Sequence, residues 1–208
     1  MSKLKYENIR PEHAPYVHAL QRICFPNTDV EILFTEEDML EHCRVFPEGT
    51  FMVMDGNRLV AMGAGIFLDF DFEHPQHTLH GIAGPSGVEG HDPNGAWYYG
   101  TDISVHPEYR RRGIGKKLYE LRKEVVRKYN KKGIIAGGVL PGYRKYLETM
   151  TAEEYVYKVA AGELYDSTLS FQIKNGFKVR GVLKDYFDDE RSGSWASLIV
   201  WENPLYKA

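Results

Sequence analysis

Thr101-Asp102-Ile103-Ser104-Val105-His106-Pro107-Glu108-Tyr109-Arg110-Arg111-Arg112-Gly113-Ile114-Gly115-Lys116-Lys117 is the stretch whose reading decides the fold. Its first residues close a strand that starts at Trp97, Pro107 stops the strand, and a basic loop with two glycines opens a helix. Ile114, Leu118, Leu121, Val125 and Tyr129 recur every three or four residues, while Lys116, Lys117, Glu120, Arg122, Lys123 and Arg127 are expected on the opposite, solvated side. The first N–H groups of a helix lack intrahelical partners and lie at the positive end of its dipole. Gly113 and Gly115 let a ligand approach the backbone closely. With the cations of Arg110, Arg111, Arg112, Lys116 and Lys117 around them, these groups form a cradle for a diphosphate. The plainer alternative is a solvated basic helix start. A P-loop is excluded, because Lys116 is followed by Lys117 and one residue separates the glycines; a dinucleotide fingerprint lacks its third glycine.

Upstream, residues 6–10 read as a short strand closed by Pro11, and Tyr16, Val17, Leu20 and Ile23 mark a helix. Thr35 and Asp38 form a capping box for a second helix that runs to about Arg44. Residues 51–62 read as a hairpin around Asp55-Gly56-Asn57. Residues 73–94, with His74, His77, His80 and His91, read as a long loop whose spacings match no metal-ligand pattern. Downstream, residues 133–139 read as a parallel strand, and Thr151 with Glu154 caps a helix inside an insertion at about 141–165. Asp166 caps a further short helix that Gly176 ends, and two strands, 177–183 and 195–201, complete the chain. This order favours an α/β (α+β) domain spanning residues 1–208, a mixed sheet with helices on both faces.

Hydrophobic residues make up 43% of the 208, and charged residues 26%, a globular balance. A net charge of -3 gives no reason to expect nucleic acid as a partner. Cys24 and Cys43 are expected as small apolar packing residues rather than a disulfide or metal site. The N-terminus lacks an apolar leader and no stretch approaches the roughly 20 apolar residues of a membrane span, so a cytoplasmic protein is expected.

Arg110-x-x-Gly113-x-Gly115 after Ile103-Ser104-Val105 resembles the [Q/R]-x-x-G-x-[G/A] motif of the GNAT N-acyltransferases. Asn175-Gly176-Phe177 is similar to the start of that family's sixth strand. His91-Asp92-Pro93, Leu140-Pro141-Gly142-Tyr143-Arg144 and the tract from Ser170 to Phe177 resemble GNAT domains fused to carbon-nitrogen hydrolase (nitrilase-like) domains. With the chain ending at Ala208, no such hydrolase is expected here. The resemblance implies a mostly antiparallel sheet of six or seven strands with one splayed parallel pair, residues 97–106 and 133–140. Acetyl-CoA would lie in that splay with no metal required. Main-chain groups around Ile103, Ser104 and Val105 would take the pantetheine amides, and Arg111 to Lys116, including Ile114, the diphosphate. The reaction it implies is direct attack of a primary amine, on a small molecule or a peptide, on the thioester.

Catalytic residues follow less directly. Regular alternation sets Tyr99, Thr101, Ile103 and Val105 on one face and Tyr98, Gly100, Asp102 and Ser104 on the other, and a bulge would exchange them. Asp102 is the candidate base, or else a carboxylate capping or pairing near the arginines, and Tyr99 is a candidate base relay or substrate contact. A phenol acid is often found in the family four residues before the Gly-Phe pair, which here is Gln172, so Tyr165 stands as a substitute acid. The tyrosines of the insertion would wall the acceptor pocket or simply pack. The alternative function is an acyl-CoA-binding module that partners an amidohydrolase; a homodimer through a terminal strand or the insertion is also compatible with the sequence.

Overall fold

The computed structural model describes residues 3–26, 28, 30–189 and 192–208. The chain opens with strand β1 (Lys5–Asn8), shorter than the sequence suggested, and helix α1 (Ala14–Cys24). Helix α2 (Glu36–Val45) begins at the expected box, with Thr35 and Asp38 bonding each other's main-chain N–H groups. Strands β2 (Phe51–Asp55) and β3 (Arg58–Leu68) form the hairpin, and the turn glycine, Gly56, has φ +60°. The long loop holds one helical turn, α3 (Leu79–Ala83), capped by Thr78. Then follow β4 (Trp97–Val105), α4 (Ile114–Lys128), β5 (Gly133–Val139), α5 (Ala152–Ala161), α6 (Leu169–Lys174), β6 (Lys178–Leu183) and β7 (Ala196–Glu202).

The strands make one seven-stranded sheet in the order β1-β2-β3-β4-β5-β7-β6. Neighbours run antiparallel except β4 and β5, which are parallel. One face packs against α4, α5 and α6 through Ile114, Leu118, Tyr155, Val156 and Leu169. The other packs against α1 and α2 through Val17, Leu20, Met39, Met52 and Met62. Asp166 is fully buried and joins the 141–165 segment to α6. Its carboxylate accepts from the N–H groups of Gly142, Thr168 and Leu169 and from the Tyr155 hydroxyl.

Two features depart from simple periodicity. In the β3–β4 ladder Ala64 faces Asp102 while Gly65 faces Gly100, so Thr101 is an extra residue and β4 bulges there. The bulge exchanges the faces: Tyr99 packs with Ile135 and Tyr186, whereas Tyr98 shares the α4 side with Ile103 and Val105. On α4, Arg122 and Lys123 are buried rather than solvated. Arg122 lies one helical repeat beyond Leu118, on the inward stripe, and Lys123 reaches the Asn175 carbonyl at 2.9 Å.

Burial depresses the pKa of His42, His77 and His91 below 6.5. His42 is the most enclosed, between the Thr50 hydroxyl (2.9 Å) and the Ser86 carbonyl (3.0 Å). A histidine held neutral in the fold stabilises it above its unfolded pKa, and that contribution is lost as pH falls. Thermal melts should therefore show Tm falling as pH drops below about 6.5, and His42→Gln should flatten this dependence.

Candidate functional site

Between β4 and α4 the chain forms a tight, pre-shaped loop. Pro107–Tyr109 is a 3-10 turn, Arg111 has φ +60°, and Gly113 caps α4 at φ +81°, ψ 0°. The first intrahelical bond runs from the Lys117 N–H to the Gly113 carbonyl, at 3.0 Å. No side chain caps this end and no acidic residue stands in the first turn, so its N–H groups face outward at the dipole's positive end. The β2–β3 turn braces the loop. The Tyr109 hydroxyl donates to Asp55 at 2.7 Å, Arg58 reaches His106 at 2.7 Å, and Arg112 lies over the Tyr109 ring.

The cations around the loop take different positions. Arg111, Arg112 and Lys116 are exposed beside the helix start, and Lys117 pairs with Glu124 at 3.4 Å. Arg110 turns back instead, donating from Nε to the Val105 carbonyl at 3.1 Å and reaching the Cys24 thiol. Ile114 buries its side chain in the core, leaving only its main chain at the loop.

The parallel pair is short. Tyr98, Gly100 and the residue between them oppose Ile134, Ile135 and Ala136, and the strands then part. The His106 N–H bonds Val60, so alternation along the ladder turns the main-chain groups of Ile103 and Val105 away from β3, into the gap. Around the point of parting, polar atoms are buried without partners: Thr101 Oγ1, Gln172 Oε1 and Arg122 Nε. The Gln172 amide occupies the space over Gly138, where an added Cβ would lie 2.6 Å from Oε1. Main-chain groups turned away from β3 and the uncapped start of α4 therefore lie side by side here.

Asp102 stands at the bulge, on the α1 side of the sheet. The Ser104 hydroxyl donates to it at 2.8 Å. Gln21 of α1 also bonds it, and the Gln21 side-chain Oε1 in turn accepts the Phe34 N–H at 2.7 Å. Burial lifts the Asp102 carboxyl to about 6, against the pull of Ser104, Arg122 and Gln21. A carboxylate that ionises just below neutrality is suited to taking a proton from an amine. Burial likewise pushes the neighbouring Cys24 thiol up to about 12, which leaves it unreactive.

Tyr99 is fully buried, and its hydroxyl is committed to His77 Nε2 (2.7 Å) and the Tyr186 hydroxyl (2.9 Å). Burial raises its pKa well above 10, so this phenol does not ionise near neutral pH. Tyr165 is 72% exposed on the segment before α6. Gln172, at 4% exposure, bonds the buried Tyr119 hydroxyl and so lies much closer to the parting of the strands. The loop histidines do not converge: His74 pairs with Asp71, His77 with Tyr99, and His91 accepts the Phe67 N–H. Reading the sequence missed Gln21 and Arg122, although each is a polar residue at an inward position of an apolar stripe.

A parallel pair that opens beside an uncapped, cation-ringed helix start makes this a GNAT-like mixed α/β fold. The chain belongs to the acetyltransferase (GNAT) family, whose model matches residues 14–144. It is 32% identical over 190 residues to the uncharacterized N-acetyltransferase YkwB of Bacillus subtilis (strain 168), covering 91% of this chain and 84% of that protein. It is 37% identical over 205 residues to the probable hydrolase YhcX of the same organism, covering 98% of this chain but only 39% of that protein. Among solved structures, the GNAT-like decarboxylase GphF in complex with isobutyryl-CoA shares the fold, with a TM-score of 0.79 at 17% identity and coverage of 96% and 99%. No helix among the described residues is long and apolar enough to cross a membrane.

Proposed function

We propose that this chain moves an acetyl or related acyl group from acyl-CoA to a primary amine, in a complex holding both substrates. The observation that carries this reading is the uncapped start of α4, with Gly113 at φ +81° and three exposed cations beside it. There the N–H groups from Gly113 to Lys116 receive the diphosphate, and the main chain of Ile103 and Val105 receives the pantetheine amides as an added strand would. Acyl-CoA supplies an activated carbonyl. The amine nitrogen bonds to the thioester carbon, the C–S bond breaks with its electron pair leaving on sulfur, and the amine proton passes to the Asp102 carboxylate. A main-chain N–H at the bulge polarises the carbonyl. Gln172 can donate a hydrogen bond to the departing sulfur but no proton, so the product leaves as a thiolate that solvent protonates.

Thiol release from acetyl-CoA across a panel of polyamines, aminosugars, amino-acid derivatives and peptides tests this directly. Release that depends on one amine class is the expected result; tight acetyl-CoA binding with no release for any amine would overturn it. Such an outcome would favour a second reading, an acyl-CoA-binding module serving a nitrilase-like amidohydrolase. Gln172 in place of a phenol and the partial coverage of YhcX support that alternative. Cytoplasmic location and a homodimer complete the proposal, the latter checked by mass measurement in solution.

A further inference from the structure

Arg122 projects from α4 under the sheet and is 2% exposed. One nitrogen, Nη2, donates to the Ala64 carbonyl at 2.8 Å and to the Asp102 carbonyl. These two residues flank the point where the β3–β4 register slips. A bulge leaves ladder groups unpaired, and here the guanidinium serves them. The sheet makes room for it: a Cβ on Gly100 would stand 2.9 Å from Nη1 and one on Gly63 3.5 Å from Nη2. Its flat faces rest near the rings of Tyr98 and Tyr119, at 5.8 and 5.7 Å, and Tyr119 in turn bonds Gln172. Among the described residues it forms no ion pair with a carboxylate, and its Nε has no partner. An interior charge with no carboxylate in ion-pair contact is costly, and an aliphatic residue would fill the same volume more favourably.

We propose that Arg122 is a positioning residue for acyl transfer: it clamps the β4 bulge through the Ala64 and Asp102 carbonyls and so fixes where the Asp102 carboxylate stands on the α1 side and how the Ile103 main chain faces the gap where the strands part. This rests on the reading of that gap as an acyl-CoA site. The same helix carries the diphosphate cradle at its start, so the cofactor seat and the reaction point share one rigid element. The groups facing Asp102 are Gln21 and Cys24 of α1, Ser104 on its own strand and Arg122 across the sheet, with Arg110 reaching Cys24. Arg122 is thus the cation that acts on the carboxylate directly.

Arg122→Met keeps the stem and removes both charge and donors; Arg122→Lys keeps the charge and loses the planar fork. The titration of Asp102, followed by carbon NMR of labelled aspartate, should move up by about one unit or more in Arg122→Met and stay near its original midpoint in Arg122→Lys. In both variants kcat should fall on the order of 10–100-fold through misplacement of the reacting groups, with little change in acetyl-CoA affinity by calorimetry. A folded Arg122→Met protein with an unmoved Asp102 titration and the original kcat would overturn the proposal, and so would failure of both variants to fold, which marks a purely structural residue. If the unaltered protein acetylates no amine while the titration still shifts as described, the clamp stands and the acyl-transfer reading fails.

Discussion

Gly113→Val should lower the affinity for acetyl-CoA by about 100-fold or more, the largest loss expected from any single change in the loop. Two effects combine. At φ +81° a side chain is strained, at a cost of roughly 1–2 kcal/mol and more for a β-branched residue. Relief of that strain moves the N–H groups proposed to receive the diphosphate, and the valine methyls occupy the approach to them. Nothing lies within 4 Å of the added Cβ, so the substitution meets open space and the fold itself should survive. Gly113→Ala separates the two effects, because it brings the backbone strain with little bulk; a loss of about tenfold is expected for it, corresponding to roughly 1.4 kcal/mol. Calorimetry with acetyl-CoA, alongside thermal melts, checks both. Wild-type affinity in a folded Gly113→Val protein would place the diphosphate elsewhere.

How much of this could be read before the fold was known follows from the range of the interactions involved. The loop and its helix are local: Pro107, Gly113, Gly115 and the spacing from Ile114 to Val125 determine them within a few residues, and the structure places that helix at Ile114–Lys128. The capping boxes at Thr35 and Thr151 are equally local, and both form. The bulge at Thr101 is different. A period of two carries no mark for an extra residue, so alternation alone set Tyr99 beside Ile103, and only the β3 register separates them. The surroundings of Tyr99 depend on His77 and Tyr186, which come from distant loops. Arg122 was expected on the solvated side of the helix and is buried. Its place on the Leu118 stripe could be counted, whereas its carbonyl partners exist only because β4 slips against β3.

Asp102→Asn should produce two changes of opposite sign. As the proposed proton acceptor for the amine, the carboxylate is expected to contribute on the order of 100-fold or more to kcat. The unaltered protein should show activity rising with pH through about 6, where the carboxyl ionises, and that limb should vanish in the variant. Stability should move the other way. The folded pKa, about 6, lies above an aspartate's ordinary value of 3.8, so the folded state prefers the protonated form. The stabilising preference is fully present below about 4 and is lost as pH rises through 6. At pH 7 the ionised, half-buried carboxylate therefore weakens the fold by up to about 3 kcal/mol, a burden that asparagine removes while still accepting from Ser104. Thermal melts at pH 7 should show Asp102→Asn above the unaltered protein, with the gap closing toward pH 4. A residue kept at a cost to the fold and needed for turnover is the mark of a functional carboxylate. Unchanged kcat in the variant would remove Asp102 from the chemistry, whatever its effect on stability.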